Sequence, residues 1–135
     1  MGDQPKTVCI TGAAKGIGKA IAQVFAKNQA NVLINYNSSK EHAAELRREL
    51  EATGCSGKIE IYGADVTDFE QVMEMFRYIK KEFGGLDVLV NNAGITSDQY
   101  LMLMKNENWL KVIDTNLNSV FYCSKAAVPL FIEKR

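Results

Sequence analysis

Three cysteines, one histidine and no excess of either charge limit what this 135-residue chain can do. Cys9, Cys55 and Cys123 are odd in number and far apart. They supply neither a disulfide framework nor the close pairs of a thiolate metal site, and they read as reduced thiols of an intracellular protein. His42 has no companion at metal-ligand spacing, so no metal site is expected, and it reads as a helix-surface residue. Lys+Arg and Asp+Glu stand at 16 each, a formal net charge of zero. There is thus no basic footprint for nucleic acid and no polybasic run for a membrane surface. The longest apolar runs are strand-sized, so no membrane span is expected. The lead from Gly2 to Lys6 is short and polar, unlike a signal or transit peptide, and a cytoplasmic location is expected. No repeat, low-complexity tract or linker is present.

What is present is a core. Hydrophobic residues make up 47% of the chain, and its length suits one domain. The stretch Thr11-Gly12-Ala13-Ala14-Lys15-Gly16-Ile17-Gly18 organises it. It follows an apolar run, Thr7 to Ile10, that reads as a buried strand. It opens a helix-period segment with Ile17, Ala20, Ile21, Val24 and Phe25 on one face. A glycine-rich turn between strand and helix is either a plain tight turn or a seat for a dinucleotide pyrophosphate. The helix start offers unpaired N–H groups and partial positive charge, and glycines let phosphate approach the backbone.

Strand and helix then alternate. Asn31 to Tyr36 is predicted as the second strand. Ser38 to Glu41 fits a capping box opening a helix with Ala43, Leu46 and Leu50 inward, ended near Gly54. Lys58 to Gly63 is the third strand. Thr67 to Glu70 is a second capping box. Its helix places Phe69, Val72, Met73, Phe76, Ile79 and Phe83 on one stripe and stops at Gly84-Gly85. Leu86 to Val90 is the fourth strand, a short helical segment lies within Thr96 to Lys105, and a last helix runs from about Glu107 towards Arg135.

Apolar strands alternating with helices predict an α/β fold: a parallel sheet with helices on both faces and right-handed crossovers. The expected strand order is 3-2-1-4. The crevice between strands one and four is then the switch point at which ligands bind. Three motifs should converge there: the glycine loop, Asp65-Val66, and Asn91-Asn92-Ala93-Gly94.

Together with Asp65-Val66-Thr67 and Asp114-Thr115-Asn116-Leu117, these motifs resemble the classical short-chain dehydrogenase/reductase family across essentially the whole chain. The stretch Gly94 to Lys105 with Trp109 is most similar to its 3-oxoacyl-(acyl-carrier-protein) reductases, which act in fatty acid biosynthesis. The resemblance implies a Rossmann-type sheet ending here after the fifth or sixth helix. It also implies that residues 1–135 form the NADP-binding half of an oxidoreductase. Gly12, Ala14, Lys15, Gly16, Ile17 and Gly18 are the expected pyrophosphate-side residues. An NAD-specific site places a carboxylate after strand two; Asn35-Tyr36-Asn37-Ser38 holds none. Lys15 is then either a solvated loop residue or the partner of a 2′-phosphate, with Asn37 and Ser38 nearby, and the resemblance favours NADPH. Asp65 is either a strand-end turn residue or the acceptor of the adenine amino group, with the Val66 backbone framing the ring. Asn92, Ala93 and Gly94 are expected against the ribose and nicotinamide, or in a network tying strand ends, or both.

Asn116 falls on the inward stripe of the last helix. A buried amide left unpaired costs roughly 1–3 kcal/mol, so a core Asn bonded to backbone is one reading. The resemblance implies the other: a catalytic Asn that interrupts the helix and holds water in a proton relay. Pro129 should bend the same helix if it lies within it.

The departure from the family pattern is large. The resemblance calls for a Ser that orients the carbonyl, a Tyr that protonates the developing alkoxide and a Lys that lowers the Tyr pKa. The Tyr-x-x-x-Lys pair belongs downstream of Asn116. The single match, Tyr36 to Lys40, follows strand two on the adenosine side. The chain alone is therefore expected to be inactive, with strand four left as an apolar sheet edge. As a full-length protein the resemblance implies a homo-oligomer, a tetramer. Phe121, Val128 and Leu130 would be partner-facing, and Lys134-Arg135 would lie near a docking place for acyl carrier protein. The alternative is a non-catalytic nucleotide-binding or interaction fragment.

Overall fold

The computed structural model describes residues 4–134. Four strands are present among these residues: β1 (Thr7–Ile10), β2 (Asn31–Tyr36), β3 (Ile59–Gly63) and β4 (Val88–Val90). They form one parallel sheet in the order β3-β2-β1-β4. Cys9 lies opposite Leu33 on one side and Leu89 on the other. Five α-helices connect and cover the strands: α1 (Gly16–Lys27), α2 (Lys40–Ala52), α3 (Phe69–Phe83), α4 (Asn106–Ile113) and α5 (Ser119–Glu133). This is the parallel sheet and strand order expected from the alternation, and the Rossmann-type arrangement that the resemblance implies.

The period of two along β1 divides the core. Val8 and Ile10 join Val32 and Ile34 under α1 and α2, where Ala22, Ala26, Ala43 and Leu46 meet them. Cys9 and Leu33 face the other way, onto α3 and α5, against Val72, Phe76, Ile79, Cys123 and Ala127. Both faces of the two central strands are thus apolar, which is why they read as unbroken hydrophobic runs.

Several local expectations need correction. The inward face of α1 is Gly18, Ala22 and Ala26, with Ile21 and Phe25 half-buried; Ile17, Ala20 and Val24 face solvent. The cause is close packing. A Cβ on Gly18 would stand 2.7 Å from the Gly12 carbonyl and 2.8 Å from Ala13 Cα, so only small residues fit beneath the helix. Helix α2 begins one residue later than the predicted box, with Ser39 at its N-cap and no side-chain cap bond. Ser38 lines the cleft instead. Asp68, not Thr67, caps α3, its carboxylate accepting from Glu70 N and Gln71 N. Only Leu101–Leu103 of the segment before α4 is helical, a single 3₁₀ turn. The last predicted helix is real but divided: α4 passes through a π-helical turn, Asp114–Asn118, into α5. Pro129 lies inside α5. No helix among the described residues is long and apolar enough to cross a membrane, and no metal-ligating cluster occurs there.

Candidate functional site

The C-terminal ends of all four strands open into one cleft of about 870 Å³. Its floor is the loop from β1 to α1. Gly12 and Gly16 hold φ of +59° and +61°, a left-handed conformation that side chains resist. A Cβ on Gly12 would come 3.0 Å from Ala93 Cα, whereas one on Gly16 would meet nothing within 4 Å. The start of α1 is left without protein capping. Lys15 occupies the N-cap with no side-chain cap bond, and the first turn carries no acid. Free N–H groups and the helix dipole therefore face open space, which fits an anion. Ala14, exposed Lys15 and Ile17 line the cleft with Gly12; Gly18 does not, being packed beneath the loop.

The loop is tied down on the β4 side by Thr11 and Asn92. Thr11 donates its N–H to Val90 O at 3.0 Å. Its hydroxyl oxygen accepts from Asn92 N and Ala93 N, each at 3.0 Å. Asn92 Nδ2 donates to Thr11 O and Gly12 O, both at 3.0 Å. This side chain therefore works in the strand-end network, while Asn92, Ala93 and Gly94 also line the cleft.

At the β2 end, Asn37 and Ser38 are exposed along the cleft, and no carboxylate stands between Asn35 and Ser39. At the β3 end, Asp65 is held by its neighbours. Its Oδ1 accepts from Thr67 N at 2.9 Å and Thr67 Oγ1 at 2.7 Å, and its own N–H donates to Gln71 Oε1 at 2.8 Å. Thr67 thus orients Asp65 rather than capping the helix. Val66 is buried beside it and lines the same wall.

Asn116 lies in the π turn and is exposed, not buried as the inward stripe implied. Its amide pairs with the backbone of one residue: Oδ1 accepts from Ile95 N at 2.8 Å, and Nδ2 donates to Ile95 O at 2.9 Å. The π turn explains the altered phase, because it inserts an extra residue into the helical register. Gly94 runs past this contact; a Cβ there would lie 3.3 Å from Asn116 Oδ1.

Three contributors were not foreseen. Asn35, buried beneath the cleft, bonds to both the glycine loop and β3. Thr11 accepts two successive amides. Helix α4 and the π turn supply a far wall through Leu110, Lys111, Asp114 and Thr115. Thr67, expected as a helix cap, is a fourth, and its place beside Asp65 has a readable signal, the Asp-x-Thr spacing of a local side-chain turn. The α4 wall depends on tertiary placement. Leu130 is buried, so of the three residues expected to face a partner only Phe121 and Val128 are exposed. Lys134 is not free: its ammonium pairs with Asp87 at 2.8 Å. Arg135 lies outside the described residues.

A family model of short chain dehydrogenases matches residues 6–135. The 3-oxoacyl-(acyl-carrier-protein) reductase of Staphylococcus aureus strain Mu50 is 45% identical over 130 residues, covering 96% of this chain and 52% of the relative. The enzyme of the same name from Thermotoga maritima is 44% identical over 130 residues, with the same coverages of 96% and 52%. The chain spans about half the length of the curated relatives it matches. Among solved structures, a doubly substituted short-chain dehydrogenase/reductase of Serratia marcescens superposes with a TM-score of 0.88 at 29% identity. That match covers 94% of this chain and 51% of the other.

Proposed function

The chain belongs to the short-chain dehydrogenase family, and from that premise we propose that it forms the nucleotide-binding part of an NADPH-dependent 3-oxoacyl-(acyl-carrier-protein) reductase. The observation that carries the reading is the uncapped start of α1 beneath a cleft in which the segment after β2, Asn35 to Ser39, holds no carboxylate. In this reading the free amides of the first turn of α1 take the pyrophosphate. Lys15 pairs with the 2′-phosphate, and Asn37 and Ser38 stand beside it. Asp65 accepts from the adenine amino group through the oxygen that Thr67 leaves free. Gly94 and Ala93 keep the nicotinamide end shallow. When bound, the nicotinamide supplies a hydride to the keto carbon. Asn116 acts as a positioning residue, because its amide fixes the Ile95 backbone from within the π turn.

Proton supply is a separate requirement. The one Tyr-x-x-x-Lys of these 135 residues is Tyr36 to Lys40. Tyr36 packs on Gly63, and Lys40 opens α2, both on the adenosine side. The 135-residue chain by itself is therefore expected to show no ketone-dependent NADPH oxidation. In the cell we place the activity in the cytoplasm, on carrier-bound acyl thioesters, within an oligomer. Carrier docking is not assigned to Lys134, which is committed to Asp87.

Fluorescence titration tests the cofactor claim. NADPH is expected to bind at least about tenfold tighter than NADH, a difference of about 1.4 kcal/mol. Lys15→Ala should remove most of that preference while leaving NADH affinity unchanged. Equal loss for both dinucleotides would show that Lys15 does not read the 2′-phosphate. Binding of neither by the folded chain would overturn the proposal.

A further inference from the structure

Among the described residues, Asn35 is the one buried polar side chain that reaches both halves of the cleft floor. It is 2% exposed, near the end of β2. Its Oδ1 accepts from Gly12 N at 3.1 Å. Its backbone carbonyl accepts from the next loop amide, Ala13 N, at 2.9 Å. Its Nδ2 turns the other way, donating to Ala64 O at 3.1 Å and to Tyr62 O and Tyr36 O at 3.3 Å. Ala64 directly precedes Asp65, and Gly12 is the first left-handed residue of the glycine loop.

These contacts demand an amide. The oxygen must accept from the loop while the nitrogen donates to carbonyls of β2 and β3. A carboxylate meets the first need and repels the second; an aliphatic side chain meets neither and strands buried polar groups. A second consequence follows for the loop. Two of its amides, Gly12 N and Ala13 N, are already spent on Asn35, so a phosphate must be met by amides further along, at the start of α1.

We propose that Asn35 is a positioning residue for the dinucleotide, holding the glycine loop and the Asp65 turn at one fixed separation without itself carrying the ligand. The proposal rests on the dinucleotide-binding reading above. Its signature is a chelate effect. A ligand that spans both ends gains from their fixed spacing, whereas a ligand that touches one end does not.

The test compares the chain with Asn35→Leu, Asn35→Asp and the smaller Asn35→Ser, each first checked for a cooperative thermal transition. Titration uses NADPH, which spans the cleft, and adenosine, which reaches the Asp65 turn but carries no phosphate for the glycine loop. For the folded variants NADPH affinity should fall by about tenfold or more and that of adenosine by less than about threefold. Amide exchange without nucleotide should quicken at Gly12 in Asn35→Leu, while β1 and β2 core amides keep their protection. Parallel losses for both ligands would reduce Asn35 to a structural residue and overturn the proposal. So would folded variants that bind NADPH like the parent, or unchanged exchange at Gly12. Failure of the parent chain to bind NADPH would instead remove the cofactor reading on which this rests, and the parent titration alone identifies that outcome.

Discussion

One carboxylate, Asp87, joins three parts of the molecule. Its Oδ2 accepts from Thr7 N and from Lys134 Nζ, both at 2.8 Å. The Lys134 stem crosses Gly85, where an added Cβ would come 2.8 Å from its Cγ. Partial burial alone would raise the Asp87 pKa, but the hydrogen bonds from Lys134 and Thr7 outweigh it and hold the carboxyl below the usual range. A folded-state pKa below the unfolded value stabilises the fold above the unfolded pKa. That contribution is lost as pH falls from there through the folded value. Asp87→Asn is therefore expected to lower stability by about 1 kcal/mol at neutral pH. Urea unfolding should show the gap closing below about pH 4, the ordinary aspartate range; a gap unchanged at pH 3 would place the effect in packing rather than charge. The thiols offer a second check at this scale. Burial pushes Cys123 up to about 12 and raises Cys9 further, with Cys123 adding to it. Of the three free cysteines, only Cys55 is partly exposed. Native protein should show one fast-reacting thiol with a disulfide reagent, and Cys55→Ser should abolish it.

Helix ends separate what composition reveals from what geometry decides. Asp68 caps α3 through Glu70 N at 3.0 Å and Gln71 N at 3.3 Å. Asp68→Ala should destabilise the fold by about 1 kcal/mol in urea unfolding. Thr67→Ala should cost less stability than Asp68→Ala, yet weaken NADPH binding, because Thr67 orients Asp65. Equal stability losses would mean that the two residues share the cap. The element sequence and strand order were legible because apolar runs, glycine stops and alternation each point the same way. The glycine loop, Asp65 and the Asn92 stretch were legible as a converging set because strand order puts their termini together. Less legible were features set by contact distance. The face of α1 follows from the space at Gly18, not from side-chain hydrophobicity. The π turn at Asp114–Asn118 leaves no mark in a helical periodicity count, so Asn116 was placed one face away from where it lies. Asn35 was read only as an absent acid, since its bonds to Gly12 and Ala64 join residues 23 and 29 positions away.

Across the whole molecule, burial is uneven. Strands β1 and β2 are flanked on both faces, whereas α4 contains no buried residue. Amide exchange should therefore be slowest in β1 and β2 and fastest in α4. The two sheet edges differ as well. Beside β3, Lys58 pairs with Glu82 at 2.8 Å and Arg47 with Glu60 at 3.7 Å, charges that discourage strand pairing. Beside β4, Val88, Leu89 and Val90 are only half-buried, and β1 is their one strand neighbour among the described residues. The outer side of the π turn and α5 adds Leu117, Phe121, Val128 and Ile132, all exposed at helical spacing. Exposed apolar residues gathered on one helix face are where association is expected. Sedimentation velocity over a concentration series should show self-association of the chain, weakened by the pair Phe121→Glu and Val128→Glu. As both sites are exposed, each change should move unfolding stability by no more than about 0.5 kcal/mol. If that pair leaves the concentration dependence intact, the contact lies elsewhere. Leu89→Lys then becomes the discriminating change, since a charge beside β4 blocks edge pairing without touching the helix face.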